Sequence, residues 1–200
     1  MLFLFHKDLI LDQINSSAKL HNDVLFDEKL ILQIEEVATL LIDSFRSDHK
    51  LLLAGNGGSA ADAQHIAGEL VSKFYFERPA LSAIALTTDT SILTAIGNDM
   101  GYDKIFSRQI EANAKSGDIF LGISTSGNSQ NIIEALIKCK EMGVKTVGFT
   151  GSNECIMDEI CDICIKVPSV IVPRIQEIHI LFGHIICSIV EEKLFRKTVV

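Results

Sequence analysis

Asp118-Ile119-Phe120-Leu121-Gly122-Ile123-Ser124-Thr125-Ser126-Gly127-Asn128-Ser129, running into an amphipathic pattern from Asn131 to Met142, is the stretch that decides the fold. Its first half is short and apolar, as a buried strand is. Its second half carries four hydroxyls and a glycine within six residues. A helix that starts there turns its first free N–H groups back toward the loop. Hydroxyl donors, backbone donors and the positive end of a helix dipole then converge on one point, and a phosphate fits that point. A plain turn capped by Ser129 needs only one of those hydroxyls. The loop has neither the GxxxxGK[ST] frame nor GxGxxG, which favours a monophosphate ester over a nucleotide.

The same strand–loop–helix unit recurs on both sides. Leu51 to Ala54 reads as a strand, Gly55-Asn56-Gly57-Gly58-Ser59 as a tight loop, and Ala60 to about Phe74 as a helix. Ser82 to Leu86 is a second strand, and Thr87-Thr88-Asp89-Thr90 after it resembles a helix cap. Lys145 to Phe149 and Ile163 to Val167 complete the strands, and a long last helix starts at Pro173 or Arg174. Alternation of this kind predicts an α/β fold, a parallel sheet between helical layers. Upstream, Leu30, Ile31, Ile34, Val37, Ala38, Leu41 and Ile42 recur at helical spacing. Residues 1–48 therefore read as a helical extension of the body formed by residues 49–200, the whole being one structural domain. In open sheets of this class ligands bind at the C-terminal ends of the strands, where both glycine- and serine-bearing loops fall.

Bulk chemistry narrows the function. The chain has 200 residues, 48% of them hydrophobic, enough for one large core. Its formal charge of −8 argues against a nucleic-acid surface as the main business. Five cysteines at irregular spacing do not form a disulfide framework, and reduced thiols point to the cytoplasm. Cys161-Asp162-Ile163-Cys164 has no second pair and falls in an apolar, strand-like run, so it reads as core. The N-terminus lacks a basic n-region and is not expected to be a signal peptide, and Ile178 to Val190 is too short to span a bilayer. That last helix is apolar on several faces, as inside an oligomer.

Two pairs of residues are candidates for chemistry. His65 and Glu69 stand at i and i+4 on one helix face, where they either bind one metal, share proton transfer, or form an ordinary surface pair. In the last helix Gln176, His179 and His184 are polar groups in apolar surroundings, and the histidines also read as satisfied core residues. Gln176 and His184 are eight apart, a rise of roughly 12 Å with about 80° of rotation. Serving one site requires leaning side chains, a distorted helix or a second subunit.

These stretches together resemble the SIS (sugar isomerase) family, and within it the phosphoheptose isomerases. The resemblance runs from about Leu51 to Glu191 and rests on Gly55 to His65, Thr87 to Ser91, Ile96 to Asp99, Phe106 to Gln109, Gly122 to Ser129 and Arg174 to His179. It implies a three-layer α/β/α sandwich with a five-stranded parallel sheet, assembled as a homotetramer with active sites at subunit interfaces. The implied reaction converts sedoheptulose 7-phosphate to D-glycero-D-manno-heptose 7-phosphate, the first step toward the heptose of lipopolysaccharide core or capsule. The resemblance implies one zinc ion per subunit held by His65, Glu69, Gln176 and His184, with Glu69 as base and His184 as acid. Substrate contacts are implied at Asn56, Gly57, Gly58, Ser59, Glu69, Asn98, Asp99, Ser124, Thr125, Ser126, Ser129 and Gln176. Partners on this reading are the sugar phosphate and three further copies of the chain, with neither nucleic acid nor membrane. The family also contains non-catalytic tetramers that bind a replication initiator, and isomerases of other sugar phosphates. This chain departs from the family at Val170-Ile171-Val172-Pro173, where Asp or Thr is usual, at Gly68, and at Lys73, where many members have Arg.

Overall fold

The structure is a computed structural model that describes residues 3–196, with side chains from residue 6 onward; Met1, Leu2 and residues 197–200 lie outside the described residues. The chain opens with helices α1 (Phe3–Leu25) and α2 (Glu28–Arg46). The helical reading of residues 1–48 thus resolves into two rods. The break is at Asp27, whose carboxylate accepts from the Leu30 N–H at 3.0 Å and starts α2. There follow β1 (Leu51–Gly55), α3 (Gly58–Val71), β2 (Ala83–Ala85), α4 (Thr90–Met100), a one-turn 3-10 helix (Tyr102–Lys104) and α5 (Ser107–Asn113). Then come β3 (Ile119–Ile123), α6 (Gln130–Glu141), β4 (Lys145–Thr150), α7 (Ile156–Ile160), β5 (Ile163–Lys166) and α8 (Val172–Phe195).

All strand pairs are parallel and the sheet order is β2-β1-β3-β4-β5. Because side chains alternate across a strand, each strand feeds two cores. Leu51, Leu53, Ile119, Leu121, Val147 and Phe149 point into a core closed by α2, α3 and α8. Leu52, Ala54 and Phe120 point into a second core with α5 and α6. The expected three-layer α/β/α sandwich is therefore the fold the chain adopts. α2 presents Leu30, Ile34, Val37, Ala38 and Leu41 at three- and four-residue spacing, which lines them along one face against α8. Asp89 caps α4 as read from the sequence, accepting from the Ile92 N–H at 2.9 Å.

Two short helices, α5 and α7, were not among the elements expected. With 7 and 5 residues they carry too few turns for a periodic signal. α7 also places Cys161 at a helix end, leaving only Cys164 of that pair within a strand.

One core polar group bears on stability. His179 of α8 is fully buried; its Nε2–H donates to the Thr150 carbonyl at 3.2 Å, and its Nδ1 has no partner. Burial pushes its pKa down to about 4, against the opposing pull of the Thr150 carbonyl. The unfolded chain therefore binds this proton more readily between about pH 6.5 and about pH 4, and stability falls as pH falls through that window. Asp62, raised to about 6 by burial against the opposing effect of His65, works in the other direction over much of the same range. A His179→Phe variant keeps Asp62 and removes only the histidine titration. Urea unfolding of both proteins at pH 7 and pH 4.5 is expected to show the wild type losing on the order of 2 kcal/mol more than the variant. Equal losses would refute the assignment.

Candidate functional site

β1 and β3 are paired from Leu51↔Ile119 to Gly55↔Ile123, so their C-terminal ends lie side by side. The helices that follow go to opposite faces: α3 buries Ala63, Ile66 and Leu70 in the first core, and α6 buries Ile132, Ala135 and Leu136 in the second. The loops Gly55–Ser59 and Ser124–Ser129 thus flank a crevice at the point where the strand order reverses, the ligand position of open α/β sheets.

The hydroxyl loop is built to leave donors free. Ser129 occupies the N-cap of α6 but makes no capping bond; its Oγ pairs with the buried Ser124 Oγ at 2.9 Å. The first turn of α6 therefore keeps its N–H groups free of a side-chain cap. Ser126 Oγ accepts from the Asn128 N–H at 3.2 Å, while Thr125 is half-buried and Ser126 exposed. Gly127 has φ 64, and a Cβ there would lie 2.2 Å from Cys155 Sγ, so only glycine closes this turn. No lysine or arginine belongs to the loop; hydroxyls and backbone dipoles are its polar groups.

Across the crevice, Asn56 is held by a reciprocal amide pair with buried Asn131, each donating to the other at 2.9 Å. Tyr102 adds its O–H to Asn56 Oδ1 at 3.0 Å. Neither Asn131 nor Tyr102 was picked out from the sequence. Asn131 is the second residue of the helix after the hydroxyl loop, a position where an amide can face back over the loop, and this was its one available signal. Asn98 and Asp99 sit exposed on the last turn of α4, joined by an Asn98 Nδ2 to Asp99 Oδ1 bond of 2.7 Å, four and three residues before Tyr102. Ser59 is buried at the start of α3, and Gly57 and Gly58 are exposed.

Further along α3, His65 Nε2 lies 3.3 Å from Glu69 Oε1 and 2.9 Å from His184 Nε2 of α8. The three donor atoms fall within 4.8 Å of one another. Gly183 makes this meeting possible: a Cβ on it would lie 2.6 Å from Ile66 Cδ1, so α8 crosses α3 at a contact only glycine allows, one residue from each histidine. Two imidazole nitrogens and a carboxylate are a zinc donor set, and a tetrahedral ion with bonds of about 2.0–2.1 Å separates its ligands by roughly 3.3 Å. His65 and Glu69 have that spacing, His65 and His184 are somewhat closer at 2.9 Å, and all three donor atoms stay within 4.8 Å. Gln176, two turns earlier on α8, sets its amide against Gly58, with Nε2 2.4 Å from where a Cβ would be, and hydrogen-bonds none of the three. The structure therefore brings His65, Glu69 and His184 together and places Gln176 at the loop end of α3.

The chain belongs to the SIS domain family, whose model matches residues 13–151. Among curated relatives it is 61% identical over 189 residues to a phosphoheptose isomerase of Aneurinibacillus thermoaerophilus, covering 94% of this chain and 96% of that protein. It is 60% identical over 174 residues to phosphoheptose isomerase 2 of Campylobacter jejuni, covering 87% of each. Among solved structures, a phosphoheptose isomerase from Francisella tularensis superposes with a TM-score of 0.90 at 34% identity, covering 94% of this chain and 98% of that one.

The helix crossing yields a direct test. Gly183→Val forces α8 away from Ile66 and is expected to destabilise the protein by about 1–3 kcal/mol, as overpacking does. The contact between the two imidazoles, read from the ring-nitrogen resonances of His65 and His184, should be lost in the folded variant; unchanged resonances would show that the crossing does not set the histidine separation.

Proposed function

We propose that this chain is an aldose–ketose isomerase that converts sedoheptulose 7-phosphate to D-glycero-D-manno-heptose 7-phosphate. The observation that carries this reading is the convergence of His65 and Glu69, on the helix that leaves the crevice loop, with His184 of α8. His65 follows Gly58 by seven residues, roughly 10 Å along the helix axis. An anion anchor at one end and acid–base groups at the other suit a sugar chain phosphorylated at its far carbon.

In the proposed mechanism the hydroxyl loop and the N-terminus of α6 hold the phosphate and orient the sugar. Glu69 removes a proton from C1, giving a cis-enediolate; His184 delivers a proton to C2 as the O1 hydroxyl proton passes to O2, and solvent returns the proton held by Glu69 to His184. Asn56, fixed by Asn131 and Tyr102, presents a rigid amide toward the substrate, alongside Ser59, Asn98, Asp99 and Gln176. His65, Glu69 and His184 would hold zinc; Gln176, at the Gly58 end of α3 in its own chain, would serve as fourth ligand only from a second subunit. When bound, zinc supplies Lewis acidity toward the carbonyl. The product would enter nucleotide-activated heptose synthesis for lipopolysaccharide core or capsule, in the cytoplasm. Among the described residues no helix is long and apolar enough to cross a membrane.

The working form is proposed to be a homotetramer. Leu9, Ile10 and Ile14 on α1, and Val170, Ile171 and Val172 where α8 begins, are exposed apolar side chains that an assembly would cover. In this reading α1 docks on neighbouring copies, while α2 packs on α8 of its own chain. Sedimentation equilibrium should give four times the 22.0 kDa chain mass; a single-chain mass would overturn the assembly.

The activity test is aldose formation from sedoheptulose 7-phosphate with zinc supplied. Glu69→Gln and His184→Ala are each expected to lower kcat by about 10²–10⁴-fold, the usual worth of a positioned acid or base. Ser124→Ala should act mainly on KM. A wild type without turnover would remove the isomerase reading, and full activity in Glu69→Gln would remove the assigned base.

A further inference from the structure

Beyond the triad, α3 and α8 are joined by a buried ion pair that the mechanism above does not use. Arg78 Nε lies 3.0 Å from Glu191 Oε1, and both side chains are 1% exposed. The guanidinium also donates to the backbone carbonyls of Glu69 at 2.8 Å and Leu70 at 2.7 Å, which closes the C-terminal end of α3. Glu191, on α8 two turns beyond His184, accepts from the N–H groups of Phe74 at 2.8 Å and Tyr75 at 2.7 Å. This fixes Phe74 with its ring 5.6 Å from the imidazole of His184, centroid to centroid. Phe195, the last residue of α8, covers the guanidinium at 5.6 Å. Burial works against the Glu191 charge, but the two N–H groups and the guanidinium outweigh it and hold the carboxyl below the ordinary range.

Each member of the pair is thus one step from a member of the triad. Arg78 grips the backbone of Glu69, and Glu191 sets the segment whose Phe74 packs on His184. A buried ion pair is weak evidence for stability, because well-packed apolar residues often serve as well. Here the planar guanidinium bonds the Glu191 carboxylate and the Glu69 and Leu70 carbonyls at once, and a group so engaged does specify where two elements sit. We propose that Arg78 and Glu191 are positioning residues that hold α3 and α8 at the separation at which Glu69 and His184 face one another. The inference rests on the triad's role in the proposed function.

Two readouts test it in the full-length protein. In the metal-free form, the imidazole nitrogen resonances of His65 and His184 report their mutual contact; zinc titration against a chromophoric chelator reports the assembled site. Glu191→Gln and Arg78→Lys are expected to shift both imidazole signals and to lower zinc affinity about ten- to a hundredfold, the range seen when supporting partners of metal ligands are altered. Leu136→Ala, in the core on the opposite face of the sheet, is the control for general loss of stability and should leave both readouts near wild type. Should either charge variant fail to fold, Phe74→Leu, which leaves the pair intact and alters only its contact with His184, carries the same readouts. The proposal is overturned if the folded variants keep the wild-type imidazole signals and zinc affinity within twofold, or if Leu136→Ala loses as much. Failure of the wild type to bind zinc would instead overturn the metal reading, and the imidazole comparison would still decide the role of the pair.

Discussion

Parallel pairing of β1 with β3 is the constraint on which the rest of this molecule depends. Both strands run in the same direction over five paired residues, so their chains leave the sheet at one rim and at one level. Buried strands cannot end in buried loops, because unpaired backbone groups need partners. The loops therefore emerge at the surface together, and the helices behind them leave to opposite faces. A crevice opens between, lined on one wall by serines and on the other by Asn56.

The second half of the site belongs to a different pair of elements. α3 and α8 both lie on the first core and cross where Gly183 meets Ile66. The crossing is closer than any side chain on residue 183 would allow, and it carries His65 and His184 to within 2.9 Å. Toward the end of α8 the Arg78–Glu191 pair ties the same two helices again. Site geometry of this kind is held by a rigid scaffold at both ends, which acid–base chemistry and metal binding require.

Much of the architecture was legible because buried parallel strands read as uninterrupted apolar runs. Leu51 to Ala54 and Asp118 to Ile123 stood out for that reason, and their observed limits shift by only one residue. The hydroxyl loop between β3 and α6 was legible because its turn chemistry is local. His65 and Glu69 were legible through a four-residue spacing on one helix. Short helices such as α7 left no such pattern. Arg78 and Glu191 went unread for another reason. Each looks like an ordinary surface charge, Arg78 before a proline and Glu191 beside Glu192 near a helix end, and only their burial against each other distinguishes them.

The sequence by itself determined the class of fold, a loop of hydroxyl donors at the end of a strand and the residue types able to move a proton. These rest on contacts within a turn or two of the chain, where propensity and spacing are decisive. Tertiary structure decided the strand order, the pairing of Asn56 with Asn131, and the meeting of His65 with His184 across 119 residues. Such contacts depend on which surfaces pack, and packing is a property of shape that no local pattern carries. The serine loop at residues 124–129 sets its donors at the end of β3; the helix crossing at Gly183 decides which groups face one another two turns along α3.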